Sequence, residues 1–286
     1  MKLKLKNTEE GFFRVLMFFS TVIIVVTLLL IIVSVLYKGL PALSWEMVSK
    51  VPEGGFYFGR EGGILNAIVG SLYLAGGATL LAVVIGLPLA LYINVHLVCH
   101  KRLVNVIRFT LDLLWGIPSI VYGAFGFALM SYFGIRVSLL AGIITVTLFI
   151  IPIMVRSMDE ALKVVPRGLL ESSLSLGSTR AETAYRVFFR QCLPGLSTAV
   201  LLSFGRAIGD AASILFTAGF TDYIPTSLFQ PTATLPLAIF FQLSSPIPQV
   251  QERAYASAVV LVFIILVVSI LARILSNRYQ KHKINF

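Results

Sequence analysis

The run SFGRAIGDAAS, Ser203 to Ser213, sets an arginine and an aspartate four residues apart in a stretch that is otherwise apolar or small. The guanidinium of Arg206 matches the geometry of an oxyanion and stays charged at any relevant pH. A carboxylate at Asp210, one helical turn on, would share its face and balance its charge. Each charge costs on the order of 2.5–3.5 kcal/mol at the centre of a lone membrane helix. Both are therefore expected to face protein or a water-filled path. Two readings stand side by side: an anion-handling pair on such a path, and an ion pair that locks helix packing. On the neighbouring face Gly205 and Gly209, extended by Ala212, form a small-xxx-small seam that lets a second helix approach closely.

Other chemistry-bearing residues are weaker candidates. His96, Cys99 and His100 in HLVCH are too few for a metal site, and a basic juxtamembrane turn near anionic headgroups explains them better. Asp112 reads as a helix cap or as the i, i+4 partner of Arg108. Trp115 and Tyr122 read as packing or interface anchors. The histidines, His282 included, sit at the ends of spans, so no hydrolytic set lies in the membrane. The dipeptide Gly-Lys never occurs, which excludes a phosphate loop of the G-x-x-x-x-G-K-[ST] type. Any ATP hydrolysis belongs to another polypeptide.

The elements that hold these residues are membrane spans. The 286 residues are 57% hydrophobic and only 13% charged, too little charge to cover a soluble domain of this length. The net charge of +10 fits membrane topology better than nucleic acid. Six segments are long enough to cross: 14–37, 64–94, 109–133, 137–155, 195–220 and 254–276. The first has a basic head but an apolar run too long for a cleaved signal, and is read as a retained helix. Gly76, Gly77, Gly86 and Pro88 predict a kink or close packing in the second. Gly116, Pro118, Gly123 and Gly126 predict the same in the third. TLPLAIFFQL, Thr234 to Leu243, is too short to cross and reads as interfacial or re-entrant. Most of the 23 lysines and arginines, among them Lys101, Arg102, Arg108, Arg156, Lys163, Arg167 and the tail residues Lys281 and Lys283, fall on one side. Lys38, Lys50, Arg60, Arg136 and Arg253 fall on the other. The positive-inside rule then gives an all-α polytopic membrane protein with six transmembrane helices and both termini cytoplasmic, one domain over 1–286. Cys99 and Cys192 fall on the reducing side.

The cytoplasmic connection of about 156–191 is patterned as two short helices. Pro166 suits a helix start and Gly177 its stop. Thr179 to Glu182 is a capping box, and Ala181, Ala184, Tyr185 and Phe188 give the second helix an apolar stripe. By pattern alone, an amphipathic hairpin on lipid headgroups and a docking knob for a partner fit equally.

ESSLSLG followed by LPG resembles the coupling loop of ABC transporter permeases, with Glu171, Ser172, Ser173, Gly177, Leu193 and Pro194 in the frame. Serines replace two alanines, and Arg190 stands where many members have an earlier proline. GGILNAIVGSLYL from Gly62, GIPSIVYGAFGFAL from Gly116, GRAIGDAASILFTAG from Gly205 and TLPLAIFFQLSSPIPQVQERAYASAVVL from Thr234 are similar to the PstA family of phosphate ABC transporter permeases. Asp210 stands where that family usually has glutamate. The resemblance implies a type I ABC importer permease fold with cytoplasmic coupling helices in a bacterial inner membrane. It implies a PstC-like second permease, a PstB-like ATPase dimer and a PstS-like phosphate-binding protein. This chain would bind no cofactor, with ATP and Mg on the ATPase, and would catalyse no reaction. Arg206 and Asp210 would line the translocation path. A permease for sulfate or molybdate is the nearest alternative; an intramembrane enzyme would need a catalytic set in the spans, which the sequence lacks, and a passive channel would not need the capped double helix at Pro166–Phe189.

Overall fold

The computed structural model describes residues 2–53 and 62–280; Arg60, Lys281, His282 and Lys283 lie outside them. Among the described residues the secondary structure is helical, with one isolated bridge between Pro52 and Gly62. Five helices are long and apolar enough to cross a membrane, or six when one bent pair is taken as a single span. The protein is thus a multi-pass membrane protein.

Beyond Arg14 helix α1 (Lys2–Gly39) is apolar on every face as far as Tyr37, and its large side chains from Phe12 to Val33 are exposed, as on a helix whose surroundings are lipid. It is seated at its end on α11 (Pro248–Gln280), where Gly39 lies against the backbone of Tyr255. Lys38 Nζ stands 4.9 Å over the Tyr255 ring. The short α2 (Trp45–Ser49) is capped by Ser44, whose hydroxyl accepts from the Met47 amide.

The centre is built by α3 (Leu65–Leu91) lying along α6 (Leu139–Lys163). Of the kink and the close packing that the small residues of α3 predict, two of them show the packing. A Cβ on Gly77 would come within 2.8 Å of Ile143, and one on Gly86 within 3.1 Å of Val155. The helix runs through Pro88, then widens into a π turn at Tyr92–His96 and a 3-10 turn at Leu97–Cys99.

The third span breaks at Gly116–Pro118, where its residues predict a bend. Over 109–133 the chain is two helices, α4 (Lys101–Trp115) and α5 (Ser119–Tyr132), bent by 96°. Pro118 disfavours helix at the residue before it and brings no N–H. The Tyr122 hydroxyl donates across the break to the Leu114 carbonyl at 2.9 Å, a second donor to an acceptor that the Ile117 amide also reaches at 3.2 Å. Past the bend, glycine permits tight approach: a Cβ on Gly123 would stand 2.8 Å from the Ser213 carbonyl oxygen, and one on Gly126 2.3 Å from Thr145 Oγ1.

The fifth span, expected over 195–220, is displaced toward the N-terminus. After α6 come α7 (Arg167–Ser175) and then one continuous rod: α8 (Arg180–Glu182), a π segment at Thr183–Phe188, and α9 (Phe189–Gly209). The rod passes through Leu193 and Pro194, which lie inside α9 rather than ending the preceding loop. It stops at Gly209.

Residues 210–234 are non-helical, yet Ser213, Ile214, Thr217, Ala218 and Thr232 are buried. Irregular backbone at membrane depth persists where protein satisfies it. Here the amides of Ser138, Leu139 and Leu140 donate to the carbonyls of Thr217, Gln230 and Leu228. The short apolar piece becomes α10 (Leu235–Leu243), seated against α11 and α3 in the manner of a re-entrant element.

Candidate functional site

Arg206 occupies the last turn of α9 and is exposed. Its guanidinium carbon lies 5.2 Å from the centroid of the Phe149 ring on α6, which holds the cation without neutralising it. Phe149 is in turn edge-on to Tyr122 at 5.7 Å. Arg206, Phe149 and Tyr122 thus connect the end of α9 to the bend between α4 and α5.

Asp210 is not on the helix face of Arg206. Its backbone is extended (φ −85°, ψ 125°), and its Oδ2 accepts the Ser213 amide at 2.9 Å. The carboxylate closes a local turn, a favoured use of aspartate just past a helix. No ion pair joins Arg206 to Asp210 among the described residues. Both nevertheless border one open depression of about 320 Å³ with Ser119, Phe149, Gly205 and Gly209. The glycine seam is unoccupied within this chain: a Cβ on Gly205 or Gly209 would meet nothing within 4 Å. A guanidinium free of carboxylate partners, set beside two bare glycines, can receive an oxyanion through several N–H groups.

Toward the opposite end of α6 lies a charged hub that sequence reading missed. Asp159 is fully buried. Arg108 grips it with Nε on Oδ2 at 2.9 Å and Nη2 on Oδ1 at 2.8 Å. Arg156 Nη1 reaches Oδ2 at 2.8 Å, Lys163 Nζ at 3.3 Å, and Asn94 Nδ2 donates to Oδ1 at 2.9 Å. The π turn carries Asn94 into this position, a use of π segments common near function. The expected Arg108–Asp112 pair is replaced, since Asp112 accepts from Arg156 Nε at 2.6 Å. One buried carboxylate contacted by three cations joins α3, α4 and α6 where a lone charge would be costly, and Glu160 pairs with Arg156 and Lys163 at its exposed edge.

Helix α7 follows α6 directly. Glu171 and Ser172 are exposed, and Ser173 is half-buried. Gly177 has φ +84°, a left-handed conformation that suits a glycine ending a helix, and the Ser178 amide closes the motif on the Ser173 carbonyl. Ser173 Oγ contacts Ser178 Oγ at 2.6 Å and Thr183 Oγ1 at 3.0 Å, tying α7 to the rod. The capping box forms as expected, with Glu182 N on Thr179 Oγ1 at 3.2 Å and Thr179 N on Glu182 Oε2 at 2.9 Å. The predicted stripe shifts: Thr183, Ala184 and Phe188 are buried while Tyr185 is exposed, because a π segment has a longer period than the α spacing assumed. Leu193 is half-buried and Pro194 buried. Arg180 fixes the π turn of α3 by donating to the Val95 and His96 carbonyls at 3.3 and 3.0 Å.

The model of one protein family, described as binding-protein-dependent transport system inner membrane component, matches residues 82–281. Among curated proteins, the phosphate transport system permease protein PstA of Xylella fastidiosa (strain 9a5c) is 34% identical over 249 residues, 86% of this chain and 84% of its own length. PstA of Pasteurella multocida is 33% identical, covering 87% of each. PstA 1 of Mycobacterium tuberculosis (strain CDC 1551 / Oshkosh) is 33% identical, over 74% of this chain and 69% of its own. Among solved structures, the inward-facing MetNI methionine ABC transporter superposes with a TM-score of 0.64 at 19% identity, covering 76% of this chain and 95% of that one. At that identity the likeness speaks for the fold.

Proposed function

Because the chain belongs to the binding-protein-dependent transport system inner membrane components, we propose that it is the permease subunit of an ATP-driven phosphate importer. The observation that carries the substrate is the agreement of its curated relatives, each matched over most of its length and each named a phosphate permease. The chain moves phosphate and does not alter it chemically. In this reading it lies in a bacterial inner membrane with both termini and α7 on the cytoplasmic side, as its lysine and arginine distribution favours.

A PstC-like permease supplies the other wall of the path, a pair of PstB-like ATPases carries ATP and Mg, and a PstS-like protein delivers phosphate. ATP binding closes the ATPase pair and moves α7. The carboxylate of Glu171, which has no ion-pair partner among the described residues, is available to that partner. Motion at α7 reaches the path through α6. Asp159 and Phe149 are ten residues apart on this one helix, about 15 Å at 1.5 Å per residue. Asp159 binds the α7 end of α6 to α3 and α4, and Phe149 carries Arg206. A shift of α6 therefore moves the seat of Arg206, opening the path outward; hydrolysis resets it.

Arg206 meets the phosphate oxyanion in passage. Asp210 stands near enough to discourage tight retention, although its carboxylate is held by Ser213 rather than by Arg206. Gly205 and Gly209 face the partner permease or the path. Uptake of labelled phosphate, sulfate and molybdate by cells lacking their other importers tests this reading. Phosphate uptake that depends on this chain is the expected result; uptake of sulfate or molybdate alone would replace the substrate.

A further inference from the structure

Between the first turns of α4 and the junction of α6 with α7 lies a cavity of about 380 Å³. Lys101, Asn105 and Arg108 border it from one face of α4, at spacings of four and three. Lys163 and Arg167 border it from the junction, and Asn94 from the π turn. No carboxylate is among its lining residues. Three of these groups are already committed: Arg108, Lys163 and Asn94 all bind Asp159. Lys101 and Arg167 are not, since neither has an ion-pair partner among the described residues. The cavity therefore combines cations fixed by a buried carboxylate with two exposed cations whose charge no side chain answers.

We propose that this cavity binds a phosphate-bearing anion. Lys101 and Arg167 supply the charge, and the Asn105 amide on the same wall of α4 supplies a neutral donor. Phosphate oxygens suit such a mixture, because a guanidinium engages two of them at once while an ammonium acts as a point charge. The flank of α4 beside the cavity is apolar: Val106, Phe109 and Leu113 are exposed, and Phe109 lies one turn beyond Asn105. A phospholipid headgroup offers phosphate with acyl chains that would run along this flank, and basic pockets between membrane helices are places where anionic headgroups settle. Inorganic phosphate offers the same oxygens without the chains. The site is distinct from the Arg206 depression, with which it shares no lining residue.

The test uses the assembled importer in detergent, stripped of lipid and titrated in two arms, with phosphatidylglycerol read by native mass spectrometry and with inorganic phosphate read by thermal shift. Lys101→Gln combined with Arg167→Gln is compared with Arg102→Gln, which removes a neighbouring charge outside the cavity. Both substituted side chains are exposed and leave the Asp159 contacts intact. On the order of a tenfold or greater loss of binding is expected from the double variant in one arm, with Arg102→Gln close to wild type. Loss in the lipid arm identifies a headgroup as the ligand, and loss in the phosphate arm identifies the free anion. Unchanged binding in both arms, or an equal loss with Arg102→Gln, overturns the proposal. The substrate path plays no part in the comparison, because Arg206 is the same in every variant.

Discussion

The guanidinium of Arg206 rests over the ring of Phe149, 5.2 Å from its centre, while the carboxylate of Asp210 is occupied by the Ser213 amide. A cation held by an aromatic face keeps its N–H groups for another acceptor. Arg206→Ala is expected to abolish phosphate uptake while the complex still co-purifies. Arg206→Lys should recover only part of it, since an ammonium cannot form the bidentate contact. Phe149→Leu removes an interaction of about 0.5–1 kcal/mol and should change half-saturation by a few-fold. Normal uptake by the alanine variant would remove Arg206 from the path.

Asp159 is the buried carboxylate of its hub. Asp159→Ala would remove the carboxylate that Arg108 grips and leave Arg156 and Lys163 with their exposed partners Asp112 and Glu160. Breaking a buried pair on one side costs about 3–5 kcal/mol, so a lower melting temperature in detergent and a lower yield are expected. Asp112→Ala removes a half-exposed contact to Arg156 and should cost about 1 kcal/mol or less. Equal melting temperatures for the two variants would contradict the hub.

Two classes of glycine separate packing within the chain from packing against a partner. A Cβ on Gly70 would stand 2.0 Å from the Ala233 carbonyl oxygen, so Gly70→Ala should destabilise the subunit by about 1–3 kcal/mol. A Cβ at Gly205 or Gly209 meets open space within the chain, so Gly205→Ala and Gly209→Ala should leave its melting temperature unchanged. Co-purification of the second permease is expected to fall with them. Retention of both stability and assembly would show that nothing packs on that face.

Gly177 carries φ +84° with free space around its Cα. Gly177→Ala should therefore cost about 1–2 kcal/mol through backbone strain alone, and shift α7. Glu171 has no ion-pair partner among the described residues, so Glu171→Ala should leave stability unchanged. Both are expected to weaken ATPase co-purification, measured by pull-down from membranes. A Glu171→Ala complex with full ATPase content would remove that carboxylate from the contact.

Tyr122→Phe deletes the hydroxyl that spans the break between α4 and α5. A loss of about 1 kcal/mol is expected. Hydrogen exchange should rise first at Gly116–Ser119, and unchanged protection there would mean that Pro118 alone sets the bend.

What sequence could convey depended on how local each feature is. The capping box needs only Thr179 and Glu182, three residues apart, and it formed as read. Hydropathy located the apolar segments but averaged across Gly116–Pro118, so the bend was announced by its residues while its angle was not. A single helix reveals only neighbours three or four apart, so sequence offers Arg108 Asp112 as a partner, or Asp112 as a cap; the partner it has, Asp159, is on another element. A usable signal did exist, since Asp159 has Arg156 three before it and Lys163 four after it at the end of an apolar run. Continuing the apolar pattern through Gly209 puts Asp210 on a helix. A glycine followed by an aspartate, with a serine three further on, also spells a turn, and the turn prevailed. Arg180 locking the Val95 and His96 carbonyls had no sequence signal, because carbonyl acceptors are common to every residue.

The first amides of α6 have a bearing on how the subunit is made. Ser138, Leu139 and Leu140 donate to Thr217, Gln230 and Leu228, residues that leave the ribosome long after α6 has emerged. During synthesis the head of α6 must borrow acceptors from water or from the translocon. The permanent ones arrive only when the segment beyond α9 folds back, so closure of the bundle is a late event, governed by a stretch of chain that has no regular structure of its own.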